Sequence, residues 1–276
     1  MSKYNNSHIN YREKAFKKIK QKINRVNLTN IQSYKLLKTN GVIASLEQRQ
    51  KVEISPKWTD LAKIYIQVRE RKPFSILEFG SGFSTVVMAC ALKQNWEEYL
   101  KINKGQPKYE KPSITSIESS KKWKLNSELK IKKAGLSSFA RIVLSGVRIS
   151  EHQGQVCHFY EKLPNVVPDF VYLDGPDPAD VKGSINGISF NNPKRTVMAG
   201  DILKYESTLL PGFFMMVDGR TNNARFLMRM LKRSYRVIVS EELDITTFEL
   251  AEKRLGRKNI YGFEAYLSKK RFSNKL

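Results

Sequence analysis

The sequence predicts an α/β domain built on a doubly wound, mostly parallel sheet. Three observations carry this expectation. From Pro73 onward short apolar runs alternate with helical stretches, a Gly-x-Gly turn joins the first run to a helix, and three later runs end in an acidic residue. Strands alternating with helices imply βαβ units, and their crossovers cover both faces of a parallel sheet.

Each element has its own reason. From about Tyr11 to Lys51 the chain is strongly basic, and Phe16, Ile19, Ile23 and Val26 recur at helical spacing. This segment reads as a helix laid on the domain or docked to a polyanion or membrane face. Residues 1–54 are therefore expected to form a basic helical extension, and 55–276 the domain proper. Ser55-Pro56 opens a helix whose apolar stripe is Trp58, Leu61, Ala62, Tyr65 and Ile66.

Strands are expected at Ser75–Phe79, Ile114–Glu118, Arg141–Leu144, Phe170–Leu173, Phe213–Val217 and Tyr235–Val239. Helices are expected at Ser84–Gln94, Lys121–Lys133 and Asn223–Lys232. Thr246–Leu250 and Tyr261–Leu267, separated by a basic turn, read as antiparallel edge strands. Asn95–Pro112 reads as a polar insertion and Asp177–Ala199 as a lid, since long loops in a compact domain are commonly functional.

The chain has 276 residues and a formal charge of +23. Such an excess attracts nucleic acid, anionic lipid or acidic substrates without choosing among them. Cys90 and Cys157 form no ligand spacing, the N-terminus has no apolar signal region, and no apolar run reaches the ~18 residues of a membrane span. A reduced, cytoplasmic chain is expected.

The chemistry concentrates at three strand ends. In SILEFGSGFST, Glu78 precedes Gly80-Ser81-Gly82, and Ser84 and Thr85 open a helix. Glycines at such a turn let the backbone bend and touch a ligand at the carboxyl edge of the sheet. A dinucleotide is disfavoured, because Thr85 replaces the third glycine of the usual fingerprint and Glu78 would repel a pyrophosphate. The carboxylate suits a cationic ligand instead. In SITSIESS, Glu118 ends a strand, ready to accept ribose hydroxyls, although it lies beyond the usual spacing of about 20 residues. In PDFVYLDGPDP, Asp174 ends a strand before a Gly-Pro turn. Each acid also has a structural reading, as a cap or an exposed strand end.

Taken in order, Glu78-Phe79-Gly80-Ser81-Gly82, Glu118 and Asp174 resemble the successive motifs of class I methyltransferases, over roughly Pro56 to Leu267. The resemblance implies a Rossmann-like sheet of seven strands with an antiparallel C-terminal hairpin, and S-adenosylmethionine as cofactor. It implies that Glu78, Phe79, Gly80, Ser81, Gly82, Ser84, Glu118 and Ser119 bind that cofactor, that Ser145 and Gly146 lie near its adenine, and that Asp174 sits beside the transferring methyl. Asp218, after FFMMV, extends the likeness to the metal-dependent O-methyltransferases, where acids after the fourth and fifth strands hold a divalent cation. Asp174 and Asp218 would then be catalytic and bind Mg²⁺, although Gly219 stands where that family has an asparagine.

The expected reaction is direct methyl displacement, on the oxygen of a small-molecule or glycan-type acceptor. Nucleic acid is the alternative acceptor, although the aromatic of the base-methylating motif is missing from Asp174-Gly175-Pro176-Asp177. A non-catalytic binding protein with this fold is a third reading. Asp201 is expected as a helix cap or acceptor-pocket residue, and Arg220 as the partner of an acid or of an anionic substrate. His152 and His158 are expected to flank one strand, packed, solvent-facing or acting as bases.

Overall fold

Residues 28–46, 56–105, 110–192, 194–253 and 255 are described in the computed structural model of the chain. The first helix, α1 (Asn30–Thr39), starts at Thr29, whose hydroxyl accepts from Gln32 N while Gln32 Oε1 accepts from Thr29 N. This reciprocal cap satisfies two donors that a helix start leaves free. After α1, a short 3₁₀ turn (Ile43–Ser45) buries Ile43, and Leu37, Val42 and Leu46 join the same core. The described part of the N-terminal segment, 28–46, thus shares the domain's own core. The rest of the expected basic helix lies outside the described residues.

Helix α2 (Trp58–Arg71) ends at Lys72, which takes a left-handed conformation (φ 49°). Strand β1 (Ser75–Phe79) then leads into α3 (Phe83–Ile102), which runs eight residues beyond its expected end at Gln94. The supposed insertion is helical there because its polar residues have partners on α2. Asn95 Nδ2 donates to Val68 O at 2.8 Å, and Glu98 pairs with Arg69 and with Lys72. That extension also explains the long spacing from the glycines to Glu118.

Strand β2 (Ser113–Glu118), helix α4 (Lys121–Lys133) and strand β3 (Ala140–Leu144) follow as expected. Where one strand was expected between His152 and His158, a hairpin stands, formed by β4 (Val147–His152) and β5 (Gln155–Tyr160). Gln153 and Gly154 join them, both with positive φ (50° and 74°), as a primed two-residue turn requires. His152 therefore ends one strand and His158 lies within the next.

Beyond β6 (Phe170–Leu173), the segment expected to be a lid carries β7 (Val181–Lys182), which completes a small sheet in the order β5-β4-β7. Val181, Phe190, Val197 and Ala199 are buried in the second core, so the segment is anchored rather than free. Then come α5 (Ile202–Tyr205), β8 (Phe214–Asp218), α6 (Thr221–Met230), β9 (Tyr235–Ser240) and β10 (Ile245–Leu250).

The main sheet has seven strands in the order β3-β2-β1-β6-β8-β10-β9. All neighbours are parallel except β10, which runs antiparallel to both β8 and β9. The expected seven-stranded, mostly parallel sheet with a C-terminal hairpin is therefore present. Its hairpin is β9–β10, and Thr246–Leu250 is an interior strand rather than an edge. Phe248 and Leu250 are buried, as a strand flanked on both sides demands. Tyr261–Leu267 lies outside the described residues.

Side chains alternate between two cores, as the pleat dictates. Ile76, Phe214 and Met216 face the core shared with α1 to α3, while Leu77, Phe79, Met215 and Val217 face the β4–β5 hairpin and α6. Asp169 fastens the opposite end of the sheet, accepting from Phe74 N at 2.8 Å and Ser75 N at 3.0 Å. Strand order reverses between β1 and β6, so the loops after these strands part and leave a crevice at their carboxyl ends.

Candidate active site

The crevice is lined by the turn after β1 and the turn after β6, packed backbone to backbone. Gly80 N donates to Ile117 O at 2.8 Å, and Asp174 N donates to Phe79 O at 3.2 Å. Gly80 has φ 103°, a conformation that side chains rarely adopt. A Cβ on Gly82, by contrast, would meet nothing within 4 Å, so open space lies over the second glycine.

Glu78 does not present its carboxylate to that space. It is 1% exposed and accepts from the hydroxyls of Ser84, Thr85 and Ser116. Burial pushes its carboxyl up to about 7, against the pull of those three hydroxyls. Expected as a direct ligand, Glu78 and Ser84 here brace the turn between β1, β2 and α3. Phe79 is fully buried, stacked on Tyr160 with ring centroids 6.0 Å apart, so only its backbone borders the crevice.

Glu118 stands at the end of β2 beside the turn. Ser81 Oγ donates to its Oε2 at 2.7 Å, and Ser120 N donates to its Oε1 at 2.9 Å. These bonds leave acceptor capacity on both oxygens, since a carboxylate can take more than one donor on each. Ser119 Oγ donates to Asp180 Oδ2 at 2.7 Å, so the segment after β6 reaches across to β2. Ser145 N donates to Glu118 O at 3.0 Å, which brings the end of β3 to the same edge. Ser145 Oγ itself accepts from Lys162 N at 2.9 Å. Gly146 makes room for Glu161: a Cβ there would lie 2.6 Å from Glu161 Oε2. Both residues expected near an adenine are engaged with Glu161 and Lys162, just after β5.

Asp174 and Asp218 end the adjacent strands β6 and β8. Asp174 is half exposed, yet the surrounding protein pushes its carboxyl up to about 6, with Arg220 opposing the shift and Asp218 adding to it. Asp218 accepts from Tyr172 Oη at 2.6 Å, and its carboxyl is raised by burial against that hydrogen bond. Arg220 donates to Asp174 O and, at 3.3 Å, to Pro176 O, with Nε 3.9 Å from Asp174 Oδ1.

The expected Mg²⁺ site does not fit this arrangement. Among the described residues no three His, Cys, Asp or Glu side chains converge to hold a metal. Gly219 offers no side-chain oxygen, Asp218 is tied to Tyr172, and a guanidinium already lies against Asp174.

Three buried polar residues, Tyr160, His158 and Asp201, gather behind the site, although the sequence marks no link between Asp201 and the other two. Tyr160 is 1% exposed and its hydroxyl has no partner among the described residues, although Asp201, Glu118, Arg220 and Asp180 all act on it electrostatically. His158, two residues earlier on the same face of β5, is fully buried, with neither ring nitrogen partnered among the described residues. Burial, with Arg220 second, lowers it to about 3, so it is neutral and no base near pH 7. Asp201 precedes α5 but makes no capping bond. Its Oδ1 accepts from Tyr160 N at 2.8 Å and its Oδ2 has no partner among the described residues. The alternation of β5 could have shown that His158 and Tyr160 share a face; Asp201 carried no such signal.

No family model matches the sequence, and no curated protein matches it significantly. Solved structures are similar at low identity. The methyltransferase PaMTH1 of Podospora anserina, with S-adenosylhomocysteine bound, is 12% identical with a TM-score of 0.47, covering 78% of this chain and 87% of its own. The O-methyltransferase TomG of Streptomyces achromogenes, in complex with S-adenosylmethionine, is 14% identical with a TM-score of 0.42, covering 78% and 89%. An O-methyltransferase of Bacillus cereus, in complex with S-adenosylhomocysteine, is 13% identical with a TM-score of 0.41, covering 81% and 92%. The fold rests on the chain's own strand order and register. No described helix is long and apolar enough to cross a membrane.

Proposed function

We propose that the chain is an S-adenosylmethionine-dependent methyltransferase acting on an oxygen of a small-molecule or glycan-type acceptor. One observation carries this reading. At the point where strand order reverses, the turn Gly80–Gly82, open over Gly82, lies beside the Glu118 carboxylate, linked to it by Ser81. The residues fit the cofactor: bare backbone where a ligand must come close, and an acceptor carboxylate suited to ribose hydroxyls.

Bound there, the cofactor supplies an activated sulfonium methyl for in-line displacement. The chain's work is then positioning and proton handling. Glu118 would hold the ribose, with Ser81 and the Ser120 amide fixing its orientation. Glu78 keeps the turn in shape through Ser84, Thr85 and Ser116. Asp174, with its carboxyl at about 6, is ionised near pH 7 and still basic enough to take an acceptor hydroxyl's proton.

Calorimetric titration with S-adenosylhomocysteine tests the reading. Micromolar binding that Glu118→Ala weakens at least about tenfold supports it, and no binding by the wild type sinks it. A nucleic-acid acceptor is the second reading, favoured by the charge of +23. Binding of mixed oligonucleotides that falls steeply with salt, together with methyl incorporation into them, would favour it.

A further inference from the structure

We infer that Arg220 takes the place a divalent cation would have between the ends of β6 and β8, and that the recess beside it receives an acceptor bearing an anionic group on an apolar body. The role as acceptor site rests on the methyltransferase reading. The recess and its cation do not.

Arg220 leads into α6 and reaches back over the β6 turn, where its guanidinium binds the carbonyls of Asp174 and Pro176. It carries more N–H donors than those carbonyls use, and its side chain is 22% exposed. A guanidinium's donors form a planar fork, which matches a carboxylate or phosphate. A divalent cation placed between Asp174 and Asp218 would be repelled by this fixed charge.

Arg220 also lines a recess of about 190 Å³ between the start of α6 and the β9–β10 turn. Met228, Val239 and Ile245 give it an apolar wall, and Arg225 adds a second cation. Met228 and Val239 are 40% and 52% exposed, so apolar surface is open there. Glu241 and Asp244, from the β9–β10 turn, line it too, with Asp244 Oδ2 against Gly219. Both arginines come from the α6 side, so an anionic group seats there, which places the ligand's body along the apolar wall.

The test is ligand-observed saturation-transfer NMR on the wild type with benzoate, phenyl phosphate and neutral benzamide, with and without Mg²⁺. Transfer to at least one anion, at least about tenfold stronger than to benzamide and unchanged by Mg²⁺, is expected, and the stronger of the two identifies carboxylate or phosphate. Arg220→Gln should abolish the signal, while Arg229→Gln, on the exposed side of the same helix, should leave it. Equal transfer to benzamide, no transfer to either anion, loss in Arg229→Gln, or retention in Arg220→Gln overturns the inference. So does Mn²⁺ binding by the wild type that Asp174→Asn removes. Because the comparison of probes uses the wild type, it stands even if Arg220→Gln disturbs the turn. Failure of S-adenosylhomocysteine binding with the anion signal intact would remove the methyl-transfer role alone.

Discussion

Gly80 and Gly175 meet without a side chain between them: a Cβ on Gly175 would stand 2.7 Å from both N and Cα of Gly80. The contact locks the turns after β1 and β6 together at the point where strand order reverses. Gly175→Ala is expected to cost about 1–3 kcal/mol, since backbone on the far side cannot move aside as a flexible side chain would. Chemical denaturation measures the loss, and calorimetry should show weaker S-adenosylhomocysteine binding in the same variant.

Gly82 makes the opposite case. Its φ of 167° is extended backbone open to any residue, and a Cβ there meets nothing. Gly82→Ala should therefore leave stability within about 0.5–1 kcal/mol of wild type while weakening S-adenosylhomocysteine binding. Unchanged affinity in a folded Gly82→Ala would show that no ligand approaches this backbone.

The Tyr160 hydroxyl has no partner among the described residues, so its burial carries a desolvation cost that no hydrogen bond from them offsets. Tyr160→Phe keeps the ring stacked on Phe79 and removes that cost. The ligand-free variant is expected to gain about 1 kcal/mol in urea denaturation. A loss of similar size would mean that the hydroxyl is satisfied in solution.

Asp201 ties stability to pH. Burial raises its carboxyl to about 7, against the Tyr160 amide and Lys204. The folded chain thus holds a proton there that the unfolded chain has lost, in the window from about 4 to about 7. Its contribution is complete below the unfolded value and falls away as pH rises through 7. Asp201→Asn keeps the oxygen that accepts from Tyr160 N and removes the titration. Relative to this variant the wild type should lose up to about 1.4 kcal/mol per pH unit across that window, and a flat difference would sink the assignment.

Much of the site was legible because its signals are local. Gly80-Ser81-Gly82 sits between an apolar run and a helix, and Glu118, Asp174 and Asp218 each close an apolar run, so pattern alone puts them at the carboxyl edge. Roles were less legible than places. Nothing local shows that Ser84, Thr85 and Ser116 all turn to Glu78, because Ser116 arrives on a different strand. The expected partner of Arg220 was an acid or an anion, and only packing shows that its guanidinium lies on the carbonyls of Asp174 and Pro176.

The sequence by itself determined the alternation of strands and helices, the open turn after β1 and the acids at the strand ends, because side-chain period and backbone conformation are properties of neighbours along the chain. Tertiary structure decided the rest. It made residues 95–102 helical through partners on α2, placed Thr246–Leu250 inside the sheet, and gathered His158, Tyr160 and Asp201 behind the crevice. It also set Arg220 where a metal was expected. Those outcomes depend on burial and charge between residues far apart in the chain, where packing outweighs local propensity.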